Sequence, residues 1–105
     1  MFCVLYQWKV KPGKEEQFRQ SWREVTEAIY RQHGSLGSRL HENDDGTWVA
    51  YAQWPTRELW EKGAELLDVE LARAKRDDAI EAESQVIFRL TVRDDMLRAQ
   101  PFKLS

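Results

Sequence analysis

A chain of 105 residues has room for one hydrophobic core and not for two. Its 42% apolar and 32% charged residues suit a globular chain and not a disordered one, and with a formal net charge of −2 nothing favours nucleic acid or an anionic membrane as partner. The single cysteine, Cys3, excludes an intrachain disulfide framework, and no apolar run approaches the roughly 20 residues needed to cross a bilayer.

Met1-Phe2-Cys3-Val4 runs straight into a strand pattern with no basic leader, so the expected address is cytoplasmic. From Phe2 to Val10 the residues alternate, with Phe2, Val4, Tyr6, Trp8 and Val10 on one side and Cys3, Leu5, Gln7 and Lys9 on the other. This predicts a first strand, stopped by Pro12-Gly13. Between Lys14 and Gln32, Phe18, Trp22, Val25 and Ile29 recur at helical spacing, with Glu15 and Glu16 in the first turn where the helix dipole favours acids. The spacing predicts an amphipathic helix that Gly34 ends.

Ser35–Glu42 and Thr47–Trp54 are strand-like runs joined by Asn43-Asp44-Asp45-Gly46, which predicts a hairpin. With those four residues as the loop, His41 falls opposite Trp48, Arg39 opposite Ala50 and Gly37 opposite Ala52. One face then carries Gly37, Arg39, His41, Trp48, Ala50, Ala52 and Trp54, the other Leu36, Ser38, Leu40, Val49, Tyr51 and Gln53. Both faces hold large apolar groups, so the hairpin needs cover on two sides. Past Pro55, Thr56 is the expected N-cap of a second helical stretch whose buried stripe is Leu59, Trp60, Ala64, Leu67, Leu71 and Ala74, breakable at Gly63 or Asp68. Arg73 to Asp78 reads as a solvated face. Gln85–Arg93 is the last strand, with Val86, Phe88, Leu90 and Val92 on one side, Arg89, Thr91 and Arg93 on the other, and Ile87 between.

Strand, helix, strand, strand, helix, strand is the α+β, ferredoxin-like βαββαβ order: a four-stranded antiparallel sheet with helices on one face. The open face would still show Leu5, Ile87 and part of the hairpin. The simplest cover is a second copy packed sheet to sheet, so a homodimer through the open face is expected. Residues 1–105 read as a single domain, with a core of about residues 2–93 and a tail over 94–105.

The residues VKPGKEEQF after the first strand, a following tryptophan, GSLGSRLH, DGTWVAYAQWP and Trp60, six residues past Trp54, resemble the antibiotic biosynthesis monooxygenase family of dimeric α+β barrel proteins. The likeness spans about residues 2–93. It implies the ferredoxin-like fold, the dimer, and a pocket between sheet and helices inside each protomer. Characterised members oxidise polycyclic aromatic phenols with molecular oxygen and neither metal nor flavin, or degrade haem. The haem-degrading branch is disfavoured: it places an Asn where the first strand here has Tyr6, and takes an iron ligand from a helical His, whereas no histidine follows His41. The implied activity is a cofactor-independent monooxygenase acting on a small aromatic phenol or quinone-like substrate. The alternative is a non-catalytic dimeric domain for small-molecule binding or stress.

Five Trp, three Tyr and four Phe suit either a core plus an oligomer interface or a pocket for a flat aromatic ligand. Tyr6, Trp8, Trp22, Tyr51 and Trp60 are the candidate substrate-binding residues. A phenolic ligand requires a few polar tips among aromatic walls, and Tyr6 or Tyr51 could hydrogen-bond a phenolate. The candidate catalytic residues are Tyr6, Tyr51 and His41, the last as a base or, more plainly, a rim residue. A void of about 300 Å³ or more between Tyr6, Trp22, Tyr51 and Trp60 would favour binding, and mutual contact would favour simple core. No cofactor and no metal are expected, since His33 and His41 fit no ligand spacing, GSLGS lacks a phosphate-loop lysine, and Asn43–Gly46 is a turn rather than a calcium loop. His33 reads as a helix-terminal residue and Cys3 as a buried thiol.

Overall fold

A computed structural model of the protein describes residues 1–63 and 70–102. Chain order is β1 (Phe2–Trp8), α1 (Glu15–Gln32), β2 (Ser38–Glu42), β3 (Trp48–Trp54), α2 (Arg57–Gly63), α3 (Glu70–Asp78) and β4 (Gln85–Thr91). The strands form one antiparallel sheet in the order β2-β3-β1-β4, the ferredoxin-like arrangement expected from the sequence. Beyond β1 the chain stays tied to the sheet's end: Val10 bridges Ile80, and the Lys11 and Glu81 amides donate to the Ala79 and Lys9 carbonyls, each at 2.8 Å.

α1 lies where its spacing placed it, with Phe18, Ser21 and Val25 buried. It closes at His33, whose amide donates to the Ile29 carbonyl, and Gly34 follows at φ +77°, a conformation that an L side chain adopts only under strain. Its first turn is tied to the end of α3. Lys14 Nζ lies 2.7 Å and Gln17 Nε2 3.0 Å from Asp78 Oδ2. The Lys14 hydrogen bond, helped by Gln17, holds the Asp78 carboxyl well below its usual range, at about 2. A carboxylate with a depressed folded pKa stabilises the fold above its ordinary pKa and ceases to do so as pH falls through the folded value. Asp78→Asn is therefore expected to flatten the acid limb of stability between pH 3.8 and about 2, followed by circular dichroism. The amplitude is small, because the pair is exposed, and the same small loss is expected at neutral pH.

Three expectations need correction. The hairpin loop is longer by one residue: Asn43 and Thr47 close it through an Asn43 N–H to Thr47 carbonyl bond of 2.8 Å, and Asp45 accepts from both the amide and the hydroxyl of Thr47. Glu42 consequently pairs with Trp48, His41 with Val49, Leu40 with Ala50 and Arg39 with Tyr51. A one-residue slip turns a strand over. Arg39 and His41 therefore share the open face with Val49 and Tyr51, while Ser38 and Leu40 join Ala52 and Ala50 beneath the helices. In β4 the pairing steps from Leu5–Phe88 to Tyr6–Val86, so Ile87 is an extra residue and a bulge. Val86 faces the helices with Arg89, whereas Phe88 and Leu90 point outward at 56% and 42% exposure.

The expected stripe of the second helical region does not hold in α3, which buries Ala72 and half-buries Arg73 and Arg76 while Leu71 is exposed. Ala74 is exposed too, and Ala64, Leu67 and Asp68 lie outside the described residues. The segment 73–78 is a solvated face only in part.

Two apolar clusters sit between sheet and helices. Trp8, Phe18, Trp48, Ala50, Ala79 and Ile80 pack at one end, and Phe2, Val4 and Trp54 with Leu59, Trp60 and Val86 at the other. Tyr6 touches both.

Candidate functional site

Between those clusters the helices do not close on the sheet, and a partly open cavity of about 250 Å³ remains. β1 supplies Tyr6 and Trp8 to its floor, because residues 2, 4, 6 and 8 all point toward the helices. β3 adds Ala50 and Ala52, whose small side chains leave the space that larger ones would fill. α1 contributes Trp22, Val25 and Ile29, and α2 contributes Trp60. Arg73 and Arg76 enter from α3.

The polar atoms inside are the indole N–H groups and guanidiniums, which only donate, and a few hydroxyls, which donate and accept. Trp60 Nε1–H donates to the Tyr6 hydroxyl oxygen at 2.8 Å, and the Trp8 indole N–H donates to Ser84 Oγ. The Tyr6 oxygen accepts the Trp60 hydrogen bond and its own O–H remains free to donate, with no acceptor for it among the described residues. Burial pushes the Tyr6 phenol above its ordinary pKa of 10.0, against the opposing pull of the Trp60 bond and of Arg76, Arg89 and Arg73, so it stays neutral at physiological pH. The guanidinium of Arg89 lies 5.4 Å from the Trp60 ring centroid, holding that indole from its face. Arg73 is pulled below its usual pKa by burial and then by Arg76, without approaching deprotonation at neutral pH. Among the described residues no three His, Cys, Asp or Glu side chains gather as metal ligands would.

Of the candidates read from the sequence, Tyr6, Trp8, Trp22 and Trp60 border the cavity together. Tyr51 does not: it pairs with Leu5, which puts it on the opposite face of the sheet, where its hydroxyl lies 2.9 Å from the buried Cys3 Sγ. His41 is on that face too, exposed on the edge strand, with Nδ1 3.0 Å from the Val49 carbonyl oxygen. The void is smaller than the 300 Å³ looked for and is bounded by three of the four aromatics named for it. Arg73, Arg76 and Ser84 were not foreseen. The signal for the two arginines was present in their i, i+3 spacing beside Ala72, which places both on the helix face that Ala72 buries.

Trp54 closes the cavity against α2. A Cβ built on Gly63 would come within 2.6 Å of Trp54 Cη2, so this helix end approaches the indole only because it has no side chain. Gly63→Ala is expected to displace Trp54 and lower stability by about 1–3 kcal/mol, read as a fall in thermal midpoint with a changed near-ultraviolet tryptophan signal.

The sequence pattern of the family "antibiotic biosynthesis monooxygenase" matches residues 1–62, more than half the chain. The protein belongs to this family. The fold agrees with solved members. SnoaB, a cofactor-independent oxygenase from Streptomyces nogalater, superposes with a TM-score of 0.73 at 14% identity, covering 92% of this chain and 97% of its own. A Bordetella bronchiseptica protein carrying the family's name gives 0.75 at 17% identity over 88% and 96%, and Rv0793 from Mycobacterium tuberculosis gives 0.72 at 15% over 91% and 98%. At such identities the likeness is one of fold alone. No curated protein matches the sequence.

Proposed function

We propose that this family member is a cofactor-independent monooxygenase that oxidises a small aromatic phenol or quinone-like substrate in the cavity under its helices. The observation that carries the reading is the Tyr6 hydroxyl, half-buried among aromatic rings, already accepting from Trp60 and keeping its own proton to donate. Donated to a phenolate oxygen, that proton stabilises the electron-rich anion that reacts with oxygen, and Arg73, Arg76 and Arg89 favour the same anion by their charge. Family membership supports the reaction class.

For a naphthol the balance is simple. The naphtholate forms a C–O bond to dioxygen at the ring carbon para to its oxygen. The resulting hydroperoxide then loses that carbon's hydrogen as a proton, the O–O bond breaks, and water leaves. The product is a 1,4-quinone, and the substrate supplies all four electrons. Metal-stripped protein supplied with 1-naphthol or anthrone is expected to consume one O₂ per quinone formed, with one ¹⁸O atom from labelled O₂ in the quinone. Oxygen uptake no faster than in protein-free buffer would overturn the reading.

The reading includes a homodimer joined through the open sheet face and cytoplasmic in location. Exposed Phe88 and Leu90 on that face support it, because adjacent apolar side chains in a sheet ordinarily find cover. Light scattering is expected to give twice the 12.5 kDa of one chain, and Phe88→Glu to return it to the monomer mass. A wild-type monomer at micromolar concentration would refute the dimer.

A further inference from the structure

The two arginines of α3 present a problem that the phenol chemistry leaves unsolved. Arg73 Nε and Arg76 Nε are both buried, and neither has a hydrogen-bond partner among the described residues. Leaving such a donor unpaired costs about 1–3 kcal/mol, more where the group is charged. The two guanidiniums also repel each other across one helical turn, and both border the cavity. Compensation from the protein is slight: Arg76 Nη2 reaches Asp77 Oδ1 at 3.4 Å, and no described carboxylate lies within ion-pair distance of Arg73. Among the described residues about one positive charge on this wall is thus unmatched, in a place lined otherwise by aromatic rings, aliphatic carbons and a few hydroxyls.

We propose that the cavity is built for an aromatic ligand bearing a carboxylate, with the carboxylate held by Arg73 and Arg76 and the ring lying among Tyr6, Trp22 and Trp60. This deepens the oxygenase reading and rests on it for the identity of the site, though not for its binding chemistry. Guanidinium forks match the planar carboxylate, and a monoanion matches the charge left over. A cavity of about 150 Å³ suffices for one benzene ring, so about 250 Å³ accommodates two fused rings and a carboxyl group. The ligand then has two polar handles. Its carboxylate lies on the α3 side, and its phenolic oxygen lies at Tyr6.

The test uses the full-length protein and tryptophan quenching checked by calorimetry, with 1-hydroxy-2-naphthoate, the neutral 1-hydroxy-2-naphthamide, and 1-naphthyl phosphate as probes. A charged hydrogen-bonded pair discriminates by about ten- to a hundredfold. The naphthoate is accordingly expected to bind at least about tenfold more tightly than the amide. That preference should be lost in Arg73→Gln/Arg76→Gln and largely kept in Arg73→Lys/Arg76→Lys, which retains the charge and guards against an effect of misfolding. Equal affinity for acid and amide, or a preference that survives the glutamine pair, overturns the proposal. Tighter binding of the phosphate than of the naphthoate overturns the carboxylate assignment. Binding and oxygen uptake fail separately: acid preference without turnover of any probe upholds this inference and removes the oxygenase, while turnover of 1-naphthol without acid preference does the reverse.

Discussion

Tyr6→Phe is expected to lower turnover of 1-naphthol by about a hundred- to a thousandfold, the loss seen when one preorganised donor to a developing oxyanion is removed. The ring and its stacking on Trp8, with centroids 5.8 Å apart, survive the change, so the fall should appear in kcat with little change in KM. What is lost structurally is the acceptor for Trp60 Nε1–H. In a cavity partly open to solvent a water can take that bond, which limits the destabilisation to about 1 kcal/mol. The pH profile provides an independent check. Burial raises the folded pKa of Tyr6 above 10.0, so the donor proton, and the stability linked to it, is fully present below that pH and is lost as pH climbs through the folded value. On the alkaline side, wild-type activity should therefore decline only above pH 10, and Tyr6→Phe should lack that limb. If Tyr6→Phe turned over as wild type does, the donor role would be refuted.

How much of this site was legible in the sequence depended on what fixed each residue's direction. Along β1 the aromatic residues Phe2, Tyr6 and Trp8 share one side, which placed Tyr6 and Trp8 together on the helix side, and the 3.6-residue spacing of α1 did the same for Trp22. The hairpin was different. Its turn residues identify a turn but not whether Thr47 belongs to loop or strand. The Asp45 carboxylate settles that by capturing Thr47. One residue of slip moved Arg39 and His41 to the far face. Tyr51 was on that far face by its pairing with Leu5, a relation between distant strands that no local pattern carries. The phase of α3 was hidden for a related reason. A stripe extrapolated from Leu59 and Trp60 carries its phase only through an unbroken helix, and the sequence offered Gly63 and Asp68 as candidate breaks. Leu71 ended outside and two arginines inside, and hydropathy alone would rank those positions the other way.

Phe18→Ala is expected to be the most damaging core substitution, costing about 3–5 kcal/mol, a large share of the about 5–15 kcal/mol by which a domain of this size is stable. Phe18 is fully buried, and its ring sits edge-on between two indoles, 5.3 Å from Trp8 and 5.7 Å from Trp48. Those contacts join α1 to β1 and β3, so truncation empties the place where helix meets sheet at the opposite end of the cavity from Trp54. Chemical denaturation followed by tryptophan fluorescence should show the loss. The near-ultraviolet dichroism of the variant should weaken even in the absence of denaturant, since two of the five indoles lose an edge-on aromatic contact. The contrast with Tyr6→Phe tests how the aromatic residues are divided. Tyr6→Phe should remove activity at small cost in stability, while Phe18→Ala should remove stability and lower activity only in proportion to the fraction unfolded. A Phe18→Ala variant as stable as wild type would mean that α1 is held down by something other than this cluster, and the division of the aromatic residues into core and site would fail.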